Sequence, residues 1–249
     1  MQVVDGGVRI AEVTVGVIVL DTRLPRAHGD VANARTWPFP VLYRVARGAS
    51  PHVVVHERGA GLKSILVETA KELVEWGACG ITTTGGFLSL FQDDLAQACG
   101  VPVASSSLMQ VPLVQKMLPR GKRVGVITVH GARLGPDFLV AAGADPDTPV
   151  VGTEDGEELT RVLLKGEARL DLQKAERDVV EAGKRLVARH PEVGALVLEC
   201  HNMAPYSNAL NAAVGLPVFD LYSFICWFHA GLAPRKFDRP GGGETPRIA

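Results

Sequence analysis

The residues best suited to chemistry lie together in one short segment, residues 196–202, which reads LVLECHN. Three apolar residues, typical of a buried strand, precede a carboxylate, the Cys200 thiol, an imidazole and a carboxamide. In open parallel α/β sheets, ligands bind outside the carboxyl ends of the strands, so Cys200 is predicted to face a pocket. The alternative interpretation is a buried structural cysteine, which is the commoner fate of this residue type.

Composition favours a globular protein of one domain or two closely joined halves. The chain has 249 residues, 47% of them hydrophobic and 21% charged, which is enough for a large α/β core in one domain or two closely joined halves. A formal net charge of −1 provides no electrostatic reason to expect nucleic acid or an anionic membrane as a partner. We therefore expect a small-molecule substrate.

The four cysteines, at positions 79, 99, 200 and 226, show no C-x-x-C or other metal-ligand spacing. This pattern argues against a zinc site and against a disulfide framework. The N-terminal sequence lacks the basic start and apolar core of a signal peptide, and no apolar run is long enough to cross a bilayer. We expect a cytoplasmic protein. The apolar segment 222–231 is compatible with a homo-oligomer.

Hydrophobic patterning predicts alternating strands and helices. The predicted strands are 13–20, 41–45, 52–56, 78–84, 101–104, 123–129, 149–152, 193–199 and 216–220. The predicted helices are 62–76, 87–98, 108–117, 133–143, 170–189, 203–214 and 222–231. Strands 13–20 and 123–129 both contain VGVI, so the chain divides into two βαβ-rich halves.

Polar residues follow several of these strands and are candidates for substrate binding. Asp21 and Thr22 open a long Pro- and Gly-punctuated loop at 21–40, which also holds Arg23, Arg26, His28, Asp30 and Asn33. Such a loop suits the binding of a carboxylate, and the alternative is a solvated surface lid. The remaining candidates at strand ends are Thr83, Thr84, Gly85, Gly86, Phe87, Ser105, Ser106, Thr128, His201 and Asn202.

The two glycines at 85 and 86 could expose backbone N–H groups to an oxyanion, or could form a tight turn with positive φ. They match neither a Walker motif nor a dinucleotide fingerprint. The serines at 105–107 are better candidates for helix N-caps than for hydrogen-bond donors to a substrate. Two polar turns, 83–86 and 199–202, facing each other across a cleft would hold a small planar substrate from both sides.

These motifs, in this order, resemble the aspartate/glutamate/hydantoin racemase superfamily over about residues 13–230. The resemblance rests on Asp21-Thr22, the TTTGGF turn at 82–87, Ser105–Ser107 and Glu199-Cys200. It implies an α/β fold of two pseudo-symmetric Rossmann-like (flavodoxin-like) halves, each a mainly parallel sheet flanked by helices, with the active site in the cleft between them. We expect residues 1–120 and about 216–249 to form the first half, and 121–215 the second.

The resemblance also implies cofactor-independent proton transfer at the α-carbon of a small carboxylate, by one cysteine from each half. The second cysteine corresponds to Cys200, the predicted catalytic residue. The first falls at a position that resembles T-x-C-G-F in relatives and is Gly85 here. Racemisation needs acid/base groups on both faces of the carbon. Cys79 lies roughly 20 Å away along an extended strand and cannot serve.

Four functions therefore remain open. One is a racemase-type isomerase whose second base is Thr84, Asp21 or a bound water. Another is a one-cysteine decarboxylase of a malonate-type substrate, since arylmalonate decarboxylases resemble this glycine–cysteine arrangement. A cysteine hydrolase using Cys200 and His201 is disfavoured, because the nucleophile-elbow glycines are absent. The fourth is a non-catalytic binding relative.

Overall fold

The chain forms two four-stranded parallel sheets. The structure, a computed structural model, describes Ile10, residues 12–235 and Phe237. Within these residues the first sheet has the order β2-β1-β3-β4 and the second the equivalent order β6-β5-β7-β8. The strands are β1 (Thr14–Leu20), β2 (Val41–Ala46), β3 (Ala78–Thr83), β4 (Val103–Ala104), β5 (Arg123–Thr128), β6 (Val150–Gly152), β7 (Val193–Leu198) and β8 (Val218–Phe219).

Continuous apolar runs account for the central strands. All seven residues of β1 are buried, and each neighbouring pair of strands is parallel. Parallel strands that are covered by helices on both faces have unbroken apolar sequences of this kind. The repeated strand order confirms the predicted α/β fold of two similar halves.

Helices cover both sheets. They are α1 (Pro51–Val55), α2 (Lys63–Glu75), α3 (Gln92–Cys99), α4 (Gln110–Met117), α5 (Pro136–Ala141), α6 (Leu159–Lys165), α7 (Leu172–Arg189), α8 (Ser207–Val214) and α9 (Leu221–Leu232). Short 3₁₀ helices, Gly86–Phe91 and His201–Tyr206, follow β3 and β7. None of the helices in the described part of the chain combines the length and hydropathy of a bilayer span.

The prediction of a strand at 52–56 is wrong, because these residues form helix α1. Its N-cap is Ser50, whose side chain accepts a hydrogen bond from the backbone N–H of Val53, and Pro51 occupies the first helical position. A serine cap followed by proline is a strong helix start. It outweighs the β-branched run that follows.

Helix α6 was not predicted from the sequence. Its N-terminus is held by Asp178 of α7, whose carboxylate accepts hydrogen bonds from the backbone N–H groups of Glu157, Glu158 and Leu159. This cap comes from a residue distant in sequence, so no local pattern marks where α6 begins.

The last elements return from the second half to the first. Strand β8 pairs with β7, so residues 218–219 belong to the second sheet and the chain crosses back only afterwards. Helix α9 then packs Leu221, Phe224 and Ile225 into one cluster with Val15 and Val17 of β1. The predicted crossing at about 216 therefore lies slightly too early. Residues 1–9 and 238–249, also assigned to the first half, lie outside the described residues.

Candidate active site

A cavity of about 50 Å³ lies between the two halves, at the carboxyl ends of β1, β3, β5 and β7. Strand order reverses at β1 and at β5, which are the switch points where open α/β sheets bind ligands. The strand-end segments lining it are Leu20, Thr22, Leu24, Thr84, Gly85, Gly86, Phe87, Val129, Glu199, Cys200, His201 and Asn202. Helix α1 adds Pro51 and Val55, and α6 adds Leu163 and Leu164.

Cys200 lines this cavity directly after β7 and is half-buried. Its sulfur lies 3.6 Å from Asn202 Oδ1, to which the thiol donates, and the backbone N–H of Asn202 also points at the sulfur. Burial raises the pKa of the Cys200 thiol, and the neighbouring Glu199 charge raises it further. In the empty site the sulfur therefore carries its proton.

Glu199 is a buried carboxyl beside the thiol, with 1% of its surface exposed. Thr128 Oγ1 donates to its Oε2 at 2.7 Å, and the backbone N–H of Phe87 donates from the first half. Burial raises its pKa to about 7, although both hydrogen bonds act in the opposite direction. A carboxyl with this pKa can be neutral or charged near neutral pH, which makes it a candidate for proton or cation chemistry.

Glu199→Gln is expected to flatten the pH dependence of stability between about pH 4.5 and 7. Below pH 4.5 the carboxyl is protonated in both states; above it, the unfolded chain ionises while the folded protein keeps its proton. The free energy of unfolding of the natural protein therefore falls by about 3 kcal/mol until the folded pKa is passed. Urea unfolding of both proteins across this range measures the difference. If the free energies of unfolding of the two proteins change equally with pH, the raised pKa of Glu199 is contradicted.

The turn after β3 faces Cys200 across the cavity. Thr84 Oγ1 accepts a hydrogen bond from the backbone N–H of Leu20, so its own proton is available to donate. Gly85 is extended, with φ of −146°, and Gly86 has no positive φ either. The tight-turn explanation of the glycines is therefore wrong. Gly86 is needed because a Cβ there would lie 1.9 Å from Glu199 Oε1.

Five of the predicted binding residues do not line the cavity. Asp21 is exposed and accepts a hydrogen bond from the backbone N–H of Gly48. Thr83 and Ser106 donate to backbone carbonyls of Ser105 and Gly86. Ser105 is buried beneath the turn, and Thr128 reaches the cavity only through Glu199. These side chains support the turns that surround the cavity.

The structure also assigns to the site two carboxylates, Glu199 and Asp30, which the sequence analysis named but did not single out as candidates. Asp30, from the loop after β1, has 1% of its surface exposed and contacts the turn after β7. Burial raises the pKa of its carboxyl, but the charges of His201 and Arg26 and the Ala32 N–H lower it on balance. Glu199 was visible in LVLECHN. Asp30 had no local signal that distinguished it from its polar neighbours in the loop.

Comparison with known proteins identifies relatives of this fold and sequence. The family described as Asp/Glu/Hydantoin racemase matches residues 41–228. A dimethylsulfoniopropionate lyase of Durusdinium sp. clade D is 28% identical over 96% of this chain and 83% of that protein. Dimethylsulfoniopropionate lyase 7 of Emiliania huxleyi (strain CCMP1516) is 31% identical over 88% of this chain and 67% of that protein.

Solved structures of similar fold include unliganded arylmalonate decarboxylase, with a TM-score of 0.57 and 20% identity over 94% of this chain and 98% of that chain. Allantoin racemase from Pseudomonas fluorescens has a TM-score of 0.59 and 15% identity over 88% of this chain and 90% of that chain. At these identities the two structures support the shared fold alone.

Proposed function

Because the chain belongs to the Asp/Glu/hydantoin racemase family, we propose that it is a cofactor-independent lyase that removes one α-proton from a small carboxylate. One observation carries this proposal. Among the described residues Cys200 is the single thiol lining the cavity, and the opposite turn has glycine at position 85. An elimination needs one base at the α-carbon, whereas racemisation needs a second group on the other face.

The substrate class that fits best is a β-sulfonium carboxylate such as dimethylsulfoniopropionate, the compound in the names of the lyases similar to this chain. The Cys200 thiolate takes a proton from the carbon next to the carboxylate. The electron pair of the broken C–H bond passes onto the carboxylate as an enediolate, and it then forms the carbon–carbon double bond as the C–S bond breaks and its electrons leave with sulfur. The products are dimethyl sulfide and acrylate, and the thiol then returns its proton to water.

The charges around the cavity favour a cationic substrate. Glu199 and Asp30 both raise the pKa of Cys200, so an empty site disfavours the thiolate. A sulfonium centre placed beside these groups would offset that effect and make the sulfur a stronger base when substrate is bound. Apolar walls from Leu24, Val55 and Leu163 suit the methyl groups on the sulfonium.

The carboxylate of the substrate would bind at the first-half turn. Thr84 can donate its hydroxyl proton there, and Thr22 lines the same side. Neutral donors can stabilise the negative charge that develops on the carboxylate oxygens during deprotonation, without reorganising. The second bases considered for a racemase are poorer: the Thr84 hydroxyl is a weak base, and Asp21 lies outside the cavity.

The direct test is incubation of the purified protein with dimethylsulfoniopropionate. Dimethyl sulfide is measured by gas chromatography and acrylate by NMR, and equal amounts of the two are expected. The rate should rise with pH into the alkaline range, because the thiolate is the active form. A disubstituted malonate and an enantiopure amino acid serve as comparison substrates. Decarboxylation or racemisation in the absence of elimination would overturn the proposal.

Gly85→Cys is expected to create proton transfer on the second face. The extended backbone at this position accepts a side chain, and the nearest contact of a new Cβ is Leu88 Cγ at 3.1 Å, at a flexible side chain. With enantiopure 2-methyl-3-(dimethylsulfonio)propanoate, the recovered substrate should lose enantiomeric excess in the variant and keep it in the natural protein. Gly85→Ser is the matched control, because a hydroxyl is a much weaker acid and base. Racemisation by the natural protein would mean that a second base is already present.

A further inference from the structure

A buried hydrogen bond joins the loop after β1 to the catalytic turn. Asp30 Oδ2 accepts a hydrogen bond from Asn202 Nδ2 at 2.5 Å, across 172 positions of the sequence. The other carboxylate oxygen accepts from the backbone N–H of Ala32 at 2.7 Å. Nearby, Gly29 packs against Pro205, and a Cβ at Gly29 would lie 3.2 Å from the Pro205 backbone. The loop therefore packs against the turn that carries Cys200.

This contact determines how the Asn202 carboxamide is oriented. An ionised carboxylate can only accept hydrogen bonds, so the NH₂ group of Asn202 must face Asp30. The amide oxygen then faces the other way, towards Cys200 Sγ at 3.6 Å. Rotation of the carboxamide by half a turn would place its oxygen against the carboxylate and lose the charge-assisted hydrogen bond.

We infer that Asp30 is a positioning residue that acts on Cys200 through Asn202. It holds the amide oxygen towards the sulfur, and the sulfur keeps its proton until a cationic substrate is bound. This role rests on the proposed function in one respect, that Cys200 is the reacting thiol. This arrangement makes the site selective, since a substrate that has a carboxylate but no positive charge leaves the thiol protonated. It also protects the empty site, because the thiolate is the form that alkylating and oxidising agents attack.

Other charged or titratable groups face the same cluster, and none of them replaces this contact. They are Arg26 of the loop, His201 of the catalytic turn, Glu199 at the end of β7, Tyr43 of β2 and Tyr206 after the turn. His201 Nδ1 lies 3.4 Å from Asp30 Oδ1, and Arg26 lies 3.5 Å from Oδ2. These two basic groups favour the ionised form of Asp30, in which it can orient Asn202.

The test is the alkylation rate of Cys200, followed by mass spectrometry of its peptide so that the other three cysteines do not interfere. Asp30→Asn provides an amide that can donate as well as accept, so the Asn202 carboxamide is able to rotate and present its NH₂ group to the sulfur. Iodoacetamide at about pH 8.5, the ordinary pKa of a thiol, should then react about tenfold faster, as expected for a shift of one pKa unit. Asp220→Asn is the matched control, a buried carboxylate that caps α9 outside the cavity, and should leave the rate unchanged.

A second pair of variants distinguishes the positioning of Asn202 by Asp30 from a direct effect of the Asp30 charge on the thiol. In an Asn202→Ala background, Asp30→Asn should change the rate much less than tenfold, because the group through which Asp30 acts is missing. Equal acceleration in both backgrounds would mean that Asp30 acts as a charge alone, and would overturn the inference. No acceleration in the natural background would overturn it as well.

If Asp30→Asn does not fold, the infrared S–H stretching band of Cys200 decides instead. The band is assigned by its loss in Cys200→Ser. It should be present in the natural protein at about pH 8.5 and shift to the free-thiol frequency in Asn202→Ala. An unchanged band in Asn202→Ala would contradict the inference. Both readouts are independent of turnover, so a protein that fails to cleave dimethylsulfoniopropionate but shows these effects would refute the proposed substrate and not the role of Asp30.

Discussion

Substitution of Cys200 by alanine or serine is expected to reduce turnover of dimethylsulfoniopropionate by about 10²–10⁴-fold, the usual effect of removing a general base. The thiol lines the cavity directly after β7, and within the described chain no other cysteine does. Serine keeps nearly the same shape, but its hydroxyl is too weak a base to replace the thiolate. Dimethyl sulfide release under saturating substrate measures the effect on kcat.

The control for this experiment is Cys226→Ser. Cys226 is also half-buried, but it lies on α9, outside the cavity. We expect this variant to keep its activity, and we expect the unfolding transition of Cys200→Ser to stay close to that of the natural protein. Near-normal turnover by Cys200→Ala would refute the assignment of the base.

Gly86→Ala is expected to lower both the stability and the activity of the protein. A Cβ at this position would lie 1.9 Å from Glu199 Oε1 and 2.6 Å from the Glu199 backbone carbonyl. The side chain could rotate away, but the carbonyl belongs to the backbone that follows β7. We expect the free energy of unfolding to fall by about 1–3 kcal/mol, as for other overpacked interiors, with a loss of activity because the two turns are forced apart. Urea unfolding and product release measure the two effects.

Gly85→Ala is the matched comparison for this variant. Its Cβ would meet the Leu88 side chain at 3.1 Å, which can adjust, and its backbone is already extended. A smaller change in stability is expected. If the two alanine variants are equally stable, the close approach of Gly86 to Glu199 does not constrain the fold.

The central strands were predicted from the sequence, whereas two short helices at the cavity were missed. Strands β1, β3, β5 and β7 lie within a residue or two of their predicted bounds, because buried parallel strands have an unbroken apolar pattern. In α1 the local cap outweighs a run of valines, and in α6 the cap is supplied by α7. Both helices line the cavity, so the sequence interpretation missed its apolar walls.

The strand ends that meet at the site could be predicted, but the contacts between them could not. The two turns 83–86 and 199–202 face each other, as expected from strand topology. The bond between Asp30 and Asn202 joins groups that are far apart in the sequence. Asp30 lies in a loop with several other polar residues of similar chemistry, and nothing in their spacing indicates which one is buried.

The return of α9 to the first half has a consequence for biosynthesis. One face of β1 shares a buried cluster with Leu221, Phe224 and Ile225 of α9, which are synthesised after all eight strands described above. The second half can fold around its own sheet while Val15 and Val17 are not yet covered by α9. An exposed row of valines on a nascent sheet is a site for aggregation and for chaperone binding. Stop codons placed before residue 221 should therefore yield chains that depend on chaperones for solubility, even though both sheets have been synthesised in full.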